Sequence, residues 1–539
     1  MSIAATARTR RPLVSGLAGV AMACWAFTAA PAAVAQVTAF KMAVAETAAS
    51  DDMLAAFYRE TGYRPLWVGA DGAARHRREA LLSAVALAPV HGLPTARYDV
   101  EELKSRMAAA TTDRARGRLD VELTRIFLQF AHDLDTGVVE PRKIDSTIVR
   151  DIPVRDRREM LDAFLAAEPV RFLRELTPRT AEYGRLVKEK LALEAVIAGG
   201  GWGPTVPATR LERGDSGQAV LALRDRLREM GYLGRTATGL YDAEIEAAVR
   251  AAQSDFGLTV DGVAGETTIA EINRPAVDRL GAVIVAMERE RWFPDDLGKR
   301  HVWVNLTDFR ARIVDEGEVT FETRSVIGKS EISHRTPEFS DVIEHMVINP
   351  SWYVPRSIIV NEYLPVLRQN PHALGYMEII DSRGRVVNRG RGFSQYTASS
   401  FPFSMRQPPS PRNALGLVKF MFPNKYNIYL HDTPSKSLFD REERAFSHGC
   451  VRLSDPFEFA YALLALQEDD PQGFFQSVLN TGVERRVNLE TPVPVHLVYR
   501  TAYTKPRGGL EYRRDVYGRD AKILDALRAA GVSLPGAES

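Results

Sequence analysis

Tyr429-Leu430-His431-Asp432-Thr433-Pro434 and, shortly after it, Ser447-His448-Gly449-Cys450-Val451-Arg452-Leu453 form the densest chemical stretch of this 539-residue chain. His431 closes a segment that reads as a β-strand, and Cys450 follows a small, polar turn that contains a glycine. A thiol is a useful nucleophile only as thiolate, so it needs a base or a cation nearby, and this stretch supplies two imidazoles. Gly449 lets the backbone come close to a carbonyl group and aim N–H groups at a developing oxyanion. The residues alone leave three readings open: an activated cysteine, a zinc site from His431, His448 and Cys450 with Asp432 as a fourth ligand, and a structural turn. Zinc fits poorly, because the cysteine has no Cys-x-x-Cys partner.

Working outward, the chain has only two cysteines, Cys24 and Cys450. Arg8, Arg10 and Arg11 precede an uncharged stretch from Pro12 to Ala35 that ends in Ala33-Val34-Ala35, the small-x-small pattern a signal peptidase cuts. The expectation is a signal peptide over 1–35, a mature chain from Gln36 and a periplasmic location. An uncleaved anchor competes with this, although the alanine-rich stretch is short for a bilayer. Ala21-Met22-Ala23 before Cys24 fits a lipobox poorly. Without the signal, Cys450 is a lone thiol in an oxidising compartment and has no internal disulfide partner. Lys plus Arg (70) balances Asp plus Glu (69) and no polybasic run occurs, so nucleic acid is not an expected partner.

With 45% apolar residues, the chain has material for two to four domains. Residues 45–200 read as a helical domain, with Leu123, Ile126, Phe127, Phe130 and Ala131 at helical spacing and isolated histidines at 76, 91 and 132. Gly199-Gly200-Gly201-Trp202-Gly203-Pro204 breaks that pattern. Residues 210–273 read as a compact three-helix unit with two similar turn-and-helix starts, Gly239-Leu240-Tyr241-Asp242 and Asp261-Gly262-Val263-Ala264-Gly265. From 298 to 500 the pattern is mainly β, with expected strands at 302–306, 311–314, 319–323, 346–348, 417–421, 428–430 and 487–499. A polar, Gly- and Pro-rich insertion, about 355–411, has the length of a lid or binding loop, with disorder as the ordinary alternative. Residues 501–539 read as a C-terminal extension.

His431, sixteen intervening residues and then His448-Gly449-Cys450, with Ser447 just before the second histidine, resemble the signature of the L,D-transpeptidase (YkuD) family. Leu430 to Phe439, Arg444 to Arg452 and Ile348-Asn349-Pro350-x-Trp352 are similar to its large periplasmic, YcbB-like branch. Leu211-x-Arg213-Gly214-Asp215, Leu227-x-x-x-Gly231-Tyr232 and Phe256-Gly257-Leu258 resemble a peptidoglycan-binding module. The resemblance implies a multidomain α+β fold: a helical scaffold domain, the three-helix module and a mainly β catalytic domain with a lid-like insertion. It implies a Cys450 thiolate that attacks a tetrapeptide stem and releases terminal D-alanine, and His431 as the base. The carbonyl of His448 would orient that base, and the N–H groups of Gly449 and Cys450 would hold the oxyanion. It also implies no metal or organic cofactor, acylation by carbapenems, and peptidoglycan stems as donor and acceptor beside possible wall-synthesis enzymes, near but not in the membrane. Arg452 stands where many shorter members have asparagine. Arg452, Ser447, Tyr429, Trp352 and Tyr353 are weaker candidates for substrate binding. Hydrolysis on the same scaffold, as an L,D-carboxypeptidase or endopeptidase, and a non-catalytic wall-binding scaffold are the competing functions.

Overall fold

The computed structural model describes residues 38–294 and 296–535; the expected signal segment lies outside them. Among the described residues no helix is long and apolar enough to cross a membrane. The first helices start where short polar side chains cap them. Asp51, Asp71, Thr112, Asp156 and Thr180 each accept a hydrogen bond from a backbone N–H of the turn that follows. The long helix Asp113–Asp135 buries Leu123, Phe127, Phe130 and Ala131. Phe127 meets Phe164 with ring centroids 4.2 Å apart, and Trp67 stacks on Phe164 at 5.5 Å, which closes the helical core.

The next unit has three helices, Gln218–Glu229, Ala243–Asp255 and Glu266–Asn273. Its two similar turns are tied together: the Tyr241 hydroxyl donates to the Gly262 carbonyl at 2.8 Å, and the Gln253 side chain accepts from the N–H groups of Asp261 and Gly262. A helix spanning Ala276–Glu290 follows. It is buried on nearly every face, as a helix between domains must be.

That linker helix ends in Glu288-Arg289-Glu290-Arg291, four charged residues that are all buried. Buried charges persist only when paired and hydrogen-bonded. Glu288 accepts from Arg291 at 2.8 Å and from the N–H groups of Val138 and Val139 in the helical domain. Arg289 donates to Glu338 in the β domain and to Asp520 near the C-terminus, both at 2.8 Å. Glu290 pairs with Arg500 and accepts from Thr180. Arg519 completes the set with a 3.0 Å bond to Glu338.

The β domain starts with β1 (Arg300–Asn305), β2 (Arg310–Asp315), β3 (Glu318–Gly328) and β4 (Phe339–Ile348). The insertion carries β5 (Trp352–Tyr353), β6 (Glu378–Ile380) and β7 (Ser404–Gln407). Then come β8 (Val418–Met421), β9 (Leu430–His431), β10 (Ala445–Ser447), β11 (Val451–Leu453) and β12 (Arg485–Val498). The main sheet runs β10-β3-β11-β9-β8-β4-β12-β1-β2. β3 is long enough to pair with β2 along its first part and with β11 and β10 at its end, so the sheet curls back on itself. The hairpin of β13 (Ala502–Thr504) and β14 (Leu510–Tyr512) and the helix Arg519–Ala529 pack on the linker helix and the three-helix unit, so the C-terminal extension is part of the interdomain core.

Two expectations are corrected. The insertion is folded: β5, β7 and β6 form their own sheet over a core that includes Val354, Ile359, Leu364, Leu367, Phe393 and Phe401. Ile428 is not in a strand, because its N–H is taken by the Asn424 side chain, which holds a turn through Asn427 at φ 56°. β9 therefore starts at Leu430.

Glu338 holds two buried guanidinium groups. Glu338→Ala should lower the unfolding free energy by about 3–5 kcal/mol, as expected when one partner of a buried ion pair is lost. Chemical denaturation would measure this, and a loss under about 1 kcal/mol would show that the cluster tolerates the missing charge.

Candidate active site

Strand register builds the site. On β9, His431 lies opposite Lys419 of antiparallel β8 and opposite Arg452 of parallel β11. Paired residues share a face of the sheet and successive residues alternate, so Lys419, His431 and Arg452 form one row. Tyr429 and Cys450, each two residues earlier than a member of that row, stand on the same side. The Tyr429 and His431 rings are 5.6 Å apart, and the Lys419 ammonium lies 5.9 Å from the Tyr429 ring.

His431 is buried, and its Nδ1 meets the backbone carbonyl of Asp432. A carbonyl only accepts, so Nδ1 carries the hydrogen and Nε2 keeps the lone pair. The carbonyl of His448, implied by the resemblance for this task, is not the one at Nδ1. Asp432 is itself fixed: its carboxylate accepts from Leu417 N–H at 2.9 Å and from Lys436 at 2.8 Å. Gly416 has φ 61°, and a Cβ there would come within 2.2 Å of Asp432 Oδ2, so only glycine leaves room for this anchor.

The turn before the cysteine has its own wiring. Ser447 Oγ donates to the Cys450 carbonyl at 2.5 Å and accepts from Gly449 N–H at 3.0 Å. Gly449 has φ 117°, which L side chains rarely adopt, and an added Cβ would meet Ile428 at 3.1 Å. Thr336 Oγ1 donates to the Gly449 carbonyl at 2.7 Å. The N–H of Cys450 has no acceptor among the described residues, whereas that of Gly449 is occupied by Ser447. Cys450 Sγ lies 3.4 Å from the Asn427 carbonyl.

Burial, then the positive charges of Arg452 and Lys419, brings the His431 imidazolium down to about 3 against the weaker pull of the Asp432 and Leu415 carbonyls. Burial also pushes the Cys450 thiol up to about 11, opposed by hydrogen bonds from Tyr429 and by the charges of Arg452 and Lys419. At neutral pH the pair is thus a neutral thiol and a neutral imidazole. Tyr429 is raised well above its ordinary value by burial and by the adjacent thiolate charge, so its hydroxyl stays a donor.

Arg452 has no carboxylate partner among the described residues, and its buried Nε makes no hydrogen bond. It lines a cavity of about 590 Å³ between the sheet and the insertion, with Trp352, Tyr363, Tyr376, Gln407 and Arg412 around it. Trp352 enters that cavity and stands edge-on to Tyr363 at 6.4 Å. Tyr353 does not line it; at 62% exposure it faces solvent beside Arg406. His448 Nε2 donates to the Glu362 carboxylate at 2.8 Å, and the ring lies 4.7 Å from that of His334. The zinc grouping of His431, His448 and Cys450 is therefore not assembled. Lys419 and Arg412 escaped the sequence reading. A charged residue inside the expected strand 417–421 was the one available signal for Lys419, whereas Arg412 sits in the insertion's polar margin.

Against known proteins, residues 299–495 match the family model described as "L,D-transpeptidase catalytic domain", residues 216–272 match "Putative peptidoglycan binding domain", and residues 52–189 match "Scaffold domain". A Haemophilus influenzae protein named "Putative L,D-transpeptidase" is 31% identical over 228 residues, which cover 41% of this chain and 45% of that relative. The chain thus matches about half of that relative's length. An L,D-transpeptidase structure from Xylanimonas cellulosilytica is 19% identical, covering 55% of this chain and 98% of its own, with a TM-score of 0.19. One from Stackebrandtia nassauensis is 16% identical, covering 55% and 97%, with a TM-score of 0.21. Residues 299–495 are a catalytic domain of the YkuD L,D-transpeptidase family, in a chain that also carries a scaffold domain and a peptidoglycan-binding domain.

Proposed function

We propose that this chain is an L,D-transpeptidase that forms three-to-three cross-links in peptidoglycan, with Cys450 as nucleophile and His431 as base. The observation that carries this is the shared face of β9 and β11, where a neutral imidazole held through Nδ1 accompanies the Cys450 thiol beside two cations. Nε2 takes the thiol proton as Sγ attacks the carbonyl between the third stem residue and the terminal D-alanine. The C–N bond breaks, His431 returns the proton to the departing D-alanine amine, and a thioester remains on Cys450. The side-chain amine of a neighbouring stem then attacks the thioester, gives its extra proton to His431 and frees the thiol.

The N–H of Cys450 serves as oxyanion donor, with Gly449 joining once Ser447 releases it. Gly449 supplies the backbone turn, and Ser447 sets it. Arg452 takes a stem carboxylate, the partner it lacks among the described residues, while Tyr429 and Trp352 line the donor side and Tyr353 stands at the outer rim of the insertion. Lys419 and Arg452 stabilise the thiolate and the oxyanion from one row. Residues 45–200, 210–273 and 298–500 act as scaffold, wall anchor and catalytic unit, with the insertion as lid. A wall substrate places the work outside the cytoplasm, in the periplasm if 1–35 is a signal.

Incubation with disaccharide-tetrapeptide should give cross-linked dimer by mass spectrometry, and Cys450→Ala should abolish it. Tripeptide without dimer would replace the proposal with hydrolysis by the same thiol, and no turnover would leave a wall-binding scaffold.

Arg452→Ala should lower kcat/KM by roughly 10- to 150-fold, the value of a charge-assisted hydrogen bond of about 1.5–3 kcal/mol. An unchanged kcat/KM would remove Arg452 from substrate binding.

With the resting thiol at about 11, iodoacetamide should alkylate Cys450 about tenfold faster per pH unit from roughly 7 to 10, because the thiolate fraction grows by that factor below the titration point. A rate already flat by pH 8 would show a preformed thiolate–imidazolium pair instead.

A further inference from the structure

Three chain segments meet two residues from the nucleophile. His448 belongs to the catalytic turn, His334 ends a short helical turn between β3 and β4, and Glu362 comes from the wide helical turn Ile359–Tyr363 of the insertion. One ligand atom from each lies within 4.8 Å of the others. The His448–Glu362 hydrogen bond accounts for two of the three. His334 is engaged at Nδ1 by Ser333 Oγ at 3.0 Å, and its Nε2 has no hydrogen-bond partner among the described residues. Such a bond at one ring nitrogen fixes the imidazole so that the other can ligate.

The His334 segment is also firmly seated. The Thr336 hydroxyl links Gly328 N–H to the Gly449 carbonyl, with bonds of 2.9 and 2.7 Å, so His334 and His448 belong to one braced unit. Glu362 is the only member on the insertion.

We infer that His334, Glu362 and His448 form a binding site for a divalent cation of the zinc class, which ties the insertion to the catalytic turn. Two imidazoles and one carboxylate suit zinc, with a fourth position open to water. Tetrahedral bonds of about 2.0–2.2 Å require ligand atoms roughly 3.5 Å apart, so the three groups need to move by only about 1 Å. The ion takes the place of the His448–Glu362 hydrogen bond and holds the insertion over the cavity that Arg452 lines. Neither Cys450 nor His431 is a ligand, so the site is independent of the chemistry proposed for them.

The test is calorimetric titration of Zn²⁺ alone into the full chain carrying Cys450→Ser, which removes the thiol as a ligand. One saturable site per chain is expected, weakened at least about tenfold by His334→Ala and likewise by Glu362→Gln. Thermal melts without metal check that each variant folds, and the exposed Glu362→Gln carries the test should His334→Ala misfold. Co²⁺ in the same protein should show visible d–d bands without a thiolate charge-transfer band. No saturable binding in Cys450→Ser, or an affinity left unchanged by both ligand substitutions, would overturn the inference.

Discussion

The arrangement of this molecule depends on one buried ionic cluster at the end of the linker helix. Glu288, Arg289, Glu290 and Arg291 leave water together, and each is answered from elsewhere in the chain: Glu288 by Val138 and Val139, Arg289 by Glu338 and Asp520, Glu290 by Thr180 and Arg500, and Arg291 by the Tyr183 hydroxyl. Hydrophobic contacts alone would let the domains slide over one another, since apolar burial is non-directional. Paired, desolvated charges have a narrow geometry, because any displacement strands a charge in a low-dielectric interior. The cluster reaches the catalytic turn. Arg519 donates to the Thr336 carbonyl at 2.8 Å, and the hydroxyl of the same threonine holds the carbonyl of Gly449.

At the other end of that chain of contacts, the thiol and imidazole rest uncharged. Burial outweighs the two nearby cations for both groups. A neutral thiol is less readily oxidised than a thiolate. Attack by this thiol, as proposed, requires its proton to be removed when substrate arrives, and a neutral imidazole held through Nδ1 is suited to that step. Ser447 gives the turn a second resting feature, because it occupies one of the two N–H groups that point toward an oxyanion role.

Much of this was legible in the sequence where the signal is local. Helical spacing marked Leu123, Phe127 and Phe130, and the two glycine-containing starts marked the three-helix unit. The motif put His431 and Cys450 close in sequence, and the register of β9 and β11 sets their segments side by side. What the sequence hid are relations across strands. Lys419 faces His431 only because β8 and β9 pair in one register, and no local pattern encodes that. The insertion read as polar because glycine and proline punctuate it, yet Ile359, Leu364, Leu367, Phe393 and Phe401 are spaced widely enough to escape a period and close enough to make a core. The Asp432 carbonyl at His431 Nδ1 also escaped the sequence reading, since a backbone carbonyl has no sequence signature.

The central claim is that an acyl group passes through Cys450, and intact-protein mass spectrometry during turnover of disaccharide-tetrapeptide tests it most directly. The account predicts a transient adduct equal to the donor stem less D-alanine, mapped to Cys450 by peptide digestion and absent in Cys450→Ala. Dimer formation with no covalent species on Cys450, or with the adduct on another residue, would contradict it.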